Sequence, residues 1–400
     1  MNNIEDNDNL RTCTGCSVCA AVCPKGAITI SLNNEGFYTP AVDPQKCVEC
    51  GICKRSCYKY DAQISNLGTP LSCYAASNIH KEKLMASSSG GISRILMEAA
   101  IERGYKVFGC AYDIQKGIAV SLIASSCEEL DQFYGSKYFQ SYTPEGFAEI
   151  IKDKSTQKYA IFGTPCQIYG FSQTSKYKRF PERYLLVDIF CHGAPSLFLW
   201  QSYLSFMKQN SGCSEFDKIS FRSKTYGWHE YSIDFFKGPK KFSSFERNDP
   251  FFGLFFSADI MNKACYDCKI RSSVHYSDIR IGDFWGTRYS MNTAGVSAVL
   301  VNTILGSDFW EAIKNDTVFE HSSFEEIAIA QTFNKSYMYN NERRNFIFDG
   351  IKHKIPLRTL YGKYTTLLPF KIRAKLLLKS MVKLLPRKFY FLIRKILHSI

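Results

Sequence analysis

The stretch CTGCSVCAAVCP, residues 13–24, sets Cys13, Cys16, Cys19 and Cys23 at spacings of two, two and three intervening residues and ends on a proline. CVECGICKRSC, residues 47–57, repeats the spacing with Cys47, Cys50, Cys53 and Cys57, and 23 residues separate the two runs. They form an internal repeat. Structural zinc sites usually join two separated Cys-x-x-Cys knuckles, a pattern that three cysteines at consecutive steps fit poorly. The start, MNNIEDNDNL, is acidic and polar, unlike a secretory signal, and no apolar run approaches the roughly 18 residues of a membrane span. A cytoplasmic location is expected, where the chain's 16 cysteines serve as metal ligands or buried thiols before disulfides.

Cys-x-x-Cys-x-x-Cys-x-x-x-Cys is the bacterial ferredoxin run, in which three thiolates of one repeat and the fourth of the other enclose each cubane. By that crossed pattern Cys13, Cys16, Cys19 and Cys57 hold one [4Fe-4S] cluster, and Cys47, Cys50, Cys53 and Cys23 hold the second. Between the repeats, AITISL, NNEG and FYTPAVD read as strand, turn and strand. Pro24 closes the first run; Tyr58 stands in the matching place of the second.

Hydrophobic residues make up 45% of the 400 and charged residues 22%, enough for two or three domains with real cores. The net charge of +13 is local: Lys352 to Lys395 contains thirteen Lys and Arg and no acid, and residues 1–349 balance at 37 of each sign. In FKIRAKLLLKSMVKLLPRKFYFLIRKILHSI these cations alternate with apolar residues at helical spacing, with breaks at Pro369 and Pro386. Such a helix suits a membrane interface with anionic headgroups, or a basic helix packed on the body or on a partner. No nucleic-acid reading motif accompanies the charge, so nucleic acid is not expected as a partner.

Downstream, MASSSGGISRILMEAAIERGYKVFGCAYD reads as a Ser/Gly loop, a helix with Ile92, Ile95, Leu96 and Ala99 on one face, and a strand. FYGSKYFQS follows at 133–141, KYAIFGTPCQIYGF at 158–171, YLLVDIFCHGAPS at 184–196, KACYDCKIR at 263–271 and SDIRIGDFWG at 277–286. Taken in this order, from about residue 10 to about residue 320, the motifs resemble the coenzyme F-420 hydrogenase/dehydrogenase beta subunit family, whose relatives include ferredoxin-linked reductases and proteins encoded with cell-surface polysaccharide genes.

The resemblance implies an iron-sulfur flavoprotein that binds FAD. Ser88, Ser89, Gly90 and Gly91 then contact flavin phosphate or ribityl, Lys137 is a cation beside the flavin or its pyrophosphate, and Gly163 and Thr164 line the same pocket. Cys166, Cys191, Cys265 and Cys268 are a scattered set suited to a third [4Fe-4S] cluster, with buried or catalytic thiols as the alternative. His192 is a candidate proton donor and Asp283 a candidate for positioning Lys137 or substrate; each has a structural alternative, as does Trp285, which stacks on a ring or fills the core. Expected is an α+β and α/β protein: a ferredoxin-like two-cluster domain over 1–66, a mixed α/β flavin-binding domain over 67–345, and a basic amphipathic helical tail over 346–400. Electrons from ferredoxin or another low-potential donor would pass to FAD and an organic substrate, with polysaccharide assembly as a candidate setting. The alternative is an electron-transfer subunit between ferredoxin or a deazaflavin coenzyme and a partner enzyme. A peripheral membrane contact would come through the tail.

Overall fold

The computed structural model describes residues 1–6, 11–62, 64, 68–245, 249–331, 333 and 336–382. The expected boundary at 66/67 and the end of the tail with Pro386 lie outside them. The N-terminal hairpin forms as the sequence requires: β1 (Ile28–Leu32) pairs antiparallel with β2 (Tyr38–Val42). Asn33 and Gly36 turn the chain, with the Asn33 side-chain oxygen accepting from the backbone N–H groups of Glu35 and Phe37 at 3.0 Å each. Gly36 has φ +77°, and a Cβ there would stand 2.6 Å from Ser196 Oγ. A side chain is excluded because the hairpin turn lies against the start of the helix Leu197–Ser211.

The remaining strands are β3 (Ser72–Asn78), β4 (Tyr105–Asp113), β5 (Ile118–Ala124), β6 (Ser141–Tyr142), β7 (Lys158–Gly163), β8 (Tyr184–Ile189), β9 (Lys218–Ser223), β10 (Ser232–Lys237), β11 (Lys240–Phe245), β12 (Ile279–Asp283), β13 (Ser297–Val301) and β14 (Thr317–His321). Nine of them build one mixed sheet in the order β14-β3-β13-β12-β8-β7-β4-β5-β6, and β11-β10-β9 form a small antiparallel sheet. At the centre β4, β7, β8 and β12 run parallel. Their continuous apolar runs, such as YLLV at 184–187, are fully buried, as strands covered on both faces require. The helix Ile92–Glu102 buries Ile92, Ile95, Leu96 and Ala99 against this sheet, the face its periodicity marks. A second core surrounds Trp200, whose ring stacks at 4.9 Å on Phe139 and meets Phe221 and Phe251.

Two ion pairs, the first fully buried and the second partly so, tie distant segments together. Asp188 on β8 takes Arg280 of β12 at 2.8 and 2.5 Å, with both side chains 1% exposed. The same guanidinium donates to the Arg271 and Ser273 carbonyls at 2.9 and 2.7 Å. The second pair joins Arg344 to Glu35 of the hairpin turn at 2.5 Å, and Arg344 also donates to the Met261 carbonyl and the Tyr266 hydroxyl. The N-terminal module is therefore clamped onto the larger body.

The chain runs through the expected boundary at 345/346 without a break. That boundary falls inside the helix Asn341–Lys352, which buries Arg344 and Ile347, and the next helix, Leu357–Thr366, buries Leu357, Leu360 and Tyr364. Their apolar faces belong to the core around Trp200. After Pro369 a further helix, Phe370–Val382, begins, and residues 370–378 are exposed throughout.

Removing one partner of a buried ion pair leaves the other charged and uncompensated, which costs about 3–5 kcal/mol. Arg280→Met should lower unfolding stability by that amount in urea titration, whereas the double variant R280M/D188L should recover only part of it, because the Arg271 and Ser273 carbonyls still lack their donor.

Candidate iron-sulfur centres

Each cysteine run bends through left-handed backbone at equivalent places. Gly15 and Ser17 have φ of 74° and 64°, and in the second run Glu49 and Gly51 have φ of 51° and 69°. Ser17 and Glu49 adopt this conformation without being glycine, a strain that marks a functional loop. Such turns aim backbone N–H groups into a concavity that favours negative charge. The Gly15 N–H lies 3.4 Å from Cys13 Sγ and the Ala27 N–H 3.3 Å from Cys23 Sγ. The Asn3 side chain donates to Cys47 Sγ at 3.6 Å.

Two hollows open between the runs. One is lined by Cys13, Cys16, Cys19 and Cys57. The other is lined by Cys23, Cys47, Cys50 and Cys53. The grouping is crossed: each hollow takes three cysteines from one run and its fourth from the other. Among the described residues no three His, Cys, Asp or Glu side chains converge tightly enough for a single metal ion. The thiols stand around spaces instead, as a cubane wider than one ion needs. Burial, with Cys57 and Cys13 nearby, pushes the Cys16 thiol up to about 12. Burial likewise pushes Cys57 up to about 12, with Cys13 and Cys53 adding to it against the Lys59 N–H and Lys59 charge. Thiols this close cannot ionise together unless a bound cation compensates them, and iron held by these cysteines would supply that charge.

The third cysteine set comes from the central strands. β7 ends at Gly163, and Thr164 caps the helix Pro165–Ser172 through a capping box with Gln167. This fixes Cys166 in the first turn, 3.2 Å from Thr164 Oγ1. Cys191 follows the end of the adjacent parallel strand β8. Cys265 accepts at 3.4 Å from the N–H of Ala194, which lies in the same loop as Cys191. Burial raises Cys166 well above its usual value, and Cys16, Cys191 and Cys268 raise it further. Burial, then Cys191, Cys268 and Cys166, raise Cys265. The four thiols thus converge, and Cys16 of the first hollow adjoins them. Gly170 permits that approach: a Cβ there would stand 2.9 Å from Val18 Cγ2 and 3.4 Å from Cys16 Sγ.

The other expected site residues divide into two places. Ser88 Oγ accepts from Ser136 N–H and lies 3.0 Å from Ser136 Oγ, so the Ser/Gly loop meets the loop carrying Lys137. Ser89 Oγ donates to the Val296 carbonyl and the Gly90 N–H to Ser297 Oγ. Gly91, at φ +80°, is the N-cap of the helix Ile92–Glu102. Lys137 Nζ donates to the carbonyls of Cys110, Tyr134 and Phe133 at 2.8, 2.9 and 3.3 Å. Burial pulls its pKa down to about 8, yet three acceptors call for all three N–H bonds of the ammonium form. Gly163 and Thr164 lie with Cys166 on the iron-sulfur side. His192 follows Cys191 and is half-buried. Asp283 accepts from Arg222 at 2.8 Å and from the Trp228 indole at 2.6 Å, and Trp285 stacks on Trp228 at 5.3 Å.

Lys224 escaped the sequence reading. Its amine donates to the carbonyls of Leu84, Ser89 and Ala294 and so fastens the Ser/Gly loop to the 292–295 turn. Nothing in FRSKTYGWHE signals this, since the three acceptors are backbone groups scattered along the chain.

Two crossed groups of four cysteines around two hollows are the pattern of a two-cluster iron-sulfur domain. Residues 12–60 match the 4Fe-4S dicluster domain, and residues 156–327 match the C terminus of the coenzyme F420 hydrogenase/dehydrogenase beta subunit. The chain therefore carries, in order, a region similar to the dicluster domain and one similar to the C terminus of that beta subunit. It is similar to the F subunit of the F(420)H(2) dehydrogenase of Methanosarcina mazei, 24% identical over 168 residues, which are 40% of this chain and 47% of the relative. The chain thus matches about half the length of that relative. A chain of the F420-reducing [NiFe] hydrogenase complex from Methanosarcina barkeri superposes with a TM-score of 0.45 at 18% identity, over 75% of this chain and 93% of that one. No helix among the described residues is long and apolar enough to cross a membrane.

If the crossed grouping is the ligand grouping, Cys23→Ser should remove about four irons per chain from the site of Cys47, Cys50 and Cys53. The electron paramagnetic resonance signal of the Cys13 group should persist; its loss instead would overturn the grouping.

Proposed function

We propose that this protein is an electron-transfer subunit that relays electrons between a low-potential carrier, ferredoxin or a deazaflavin such as coenzyme F420, and a partner enzyme. The observation that carries this reading is the succession of thiol groups: Cys23/47/50/53, then Cys13/16/19/57, then Cys166/191/265/268, with Cys53 among the groups that raise Cys19 and Cys16 among those that raise Cys166. A [4Fe-4S] cluster in each group would supply one-electron transfer, at potentials spanning about −700 to +450 mV with environment. The chain's own residues bury the second and third groups, donate N–H bonds to their sulfurs and hold them adjacent. At the first group, Cys50 is exposed and Val48 is 59% exposed, a face open to a carrier.

The names of the family and of the Methanosarcina mazei relative support the deazaflavin as carrier and an oxidoreductase as destination. Anaerobic purification should yield about twelve irons and twelve sulfides per chain, and the reduced protein should be reoxidised by the matching carrier. Fewer than about eight irons would sink the reading.

A second reading is a complete reductase with FAD and an organic substrate of its own, in cell-surface polysaccharide assembly. The meeting of Ser88 and Ser136 beside the N-cap of the helix Ile92–Glu102 favours it. Of the residues expected to touch flavin, Lys137, Gly163 and Thr164 are engaged elsewhere, so contact would rest on Ser88, Ser89 and the backbone at Gly90 and Gly91. His192 would be its proton donor, while Asp283 is held by Arg222 and Trp228. Flavin released on denaturation, together with turnover by the isolated chain, would favour this reading over the relay.

The exposed helix after Pro369 supports a peripheral contact with an anionic membrane surface. Phe370, Ile372, Leu377 and Leu378 are 80%, 46%, 64% and 59% exposed between Lys371, Arg373 and Lys375. The full chain should sediment with vesicles containing phosphatidylglycerol, less so in high salt, and not with phosphatidylcholine alone; ending the chain at residue 368 should abolish sedimentation.

A further inference from the structure

Tyr58 stands where the first run has Pro24. A proline there would only fix the backbone as the chain leaves the run. Tyrosine reaches further. Its side chain is buried, with the residue 2% exposed, and lines the hollow of Cys13, Cys16, Cys19 and Cys57. At its far end the hydroxyl donates to the Asp267 carbonyl at 3.5 Å and accepts from the Lys269 N–H at 3.4 Å. These two residues flank Cys268. Both bonds are long, so ring packing carries most of the contact. The ring meets Tyr169 edge-on at 6.2 Å, on the helix that carries Cys166. Tyr169 in turn donates to Asp61 at 2.6 Å, three residues beyond Tyr58, and meets Tyr276 edge-on at 4.8 Å. Tyr58, Tyr169 and Ile270 form one apolar cluster against Cys166 and Cys268.

We propose that Tyr58 is a positioning residue that sets the separation between the Cys13/16/19/57 group and the Cys166/191/265/268 group. It follows Cys57, a member of the first group, and wedges its ring against the loop and helix that carry members of the other. Electron tunnelling falls steeply with distance, so a spacer at this junction controls exchange between the two groups without being a ligand of either. The inference rests on the relay reading.

The test compares the anaerobically prepared full chain with Tyr58→Phe, Tyr58→Pro and Tyr58→Ala. Proline restores the residue found at the same place in the first run, so the ligand loop keeps a sequence it tolerates. Expected are unchanged iron contents, weaker magnetic interaction between the groups in the paramagnetic resonance spectra of dithionite-reduced Y58P and Y58A, and exchange between the groups slowed by an order of magnitude in stopped-flow reduction. Y58F, which keeps the ring, should stay close to the parent in both. Unchanged coupling and rate in Y58P and Y58A would overturn the proposal. Loss of iron from the Cys57 group in both variants would overturn it as well, since Tyr58 would then serve the hollow and not the spacing. The parent chain judges the relay reading separately: iron confined to the N-terminal groups removes the third site before any variant is measured.

Discussion

The parallel pairing of β7, β8 and β12, with the Asp188–Arg280 pair buried across it, is the constraint from which the site follows. Parallel strands bring their C-terminal ends to one edge of the sheet, where open α/β sheets place their chemistry. Cys166 and Cys191 leave that edge from adjacent strands. Arg280 reaches from the same sheet to the carbonyls of Arg271 and Ser273, and so holds the segment just after Cys268 against it. An ion pair this deep costs desolvation and adds little net stability. Its contribution is geometric, because it satisfies loop carbonyls that would otherwise be buried without partners.

The cysteine sites carry a second constraint. Sulfur atoms gathered in an apolar interior resist ionisation, and the raised pKa values of Cys16, Cys57, Cys166 and Cys265 record both the burial and the mutual repulsion. Iron bound in the two N-terminal hollows would resolve the conflict there by neutralising the thiolates, which would couple metal loading to completion of that module. The loops prepare for it with left-handed backbone at Gly15, Ser17, Glu49 and Gly51 and with N–H donors near sulfur. Such donors around the ligands are a lever on cluster potential.

The loops around Ser88–Gly91 and Lys137 are held by buried amines. Lys224 gathers carbonyls from three separate segments and Lys137 from two, and each has its pKa lowered by burial, to about 7 and about 8. The two therefore act as cross-links for the Ser88–Gly91 loop and its neighbours.

The sequence by itself determined the chemistry of the N-terminal module. Short-range spacing dictates which thiols one loop can present, so the two runs, the hairpin between them and the Ile92–Glu102 helix were readable from local pattern. The apolar runs at 158–163 and 184–189 likewise marked strands. What only the tertiary structure decided is which distant groups meet. Spacing could suggest Cys166, Cys191, Cys265 and Cys268 as a set, but their convergence depends on strand order and on Arg280. Local charge could not reveal that Lys137 and Lys224 point at carbonyls, nor could the basic composition after Asp349 separate the packed helices Asn341–Lys352 and Leu357–Thr366 from the exposed one that follows. Tyr58 looked like a small departure from a pattern, because its partners at Asp267 and Lys269 lie some 210 residues away along the chain. Local pattern fixes what a segment can do; long-range packing, which no single segment encodes, fixes what it does it to.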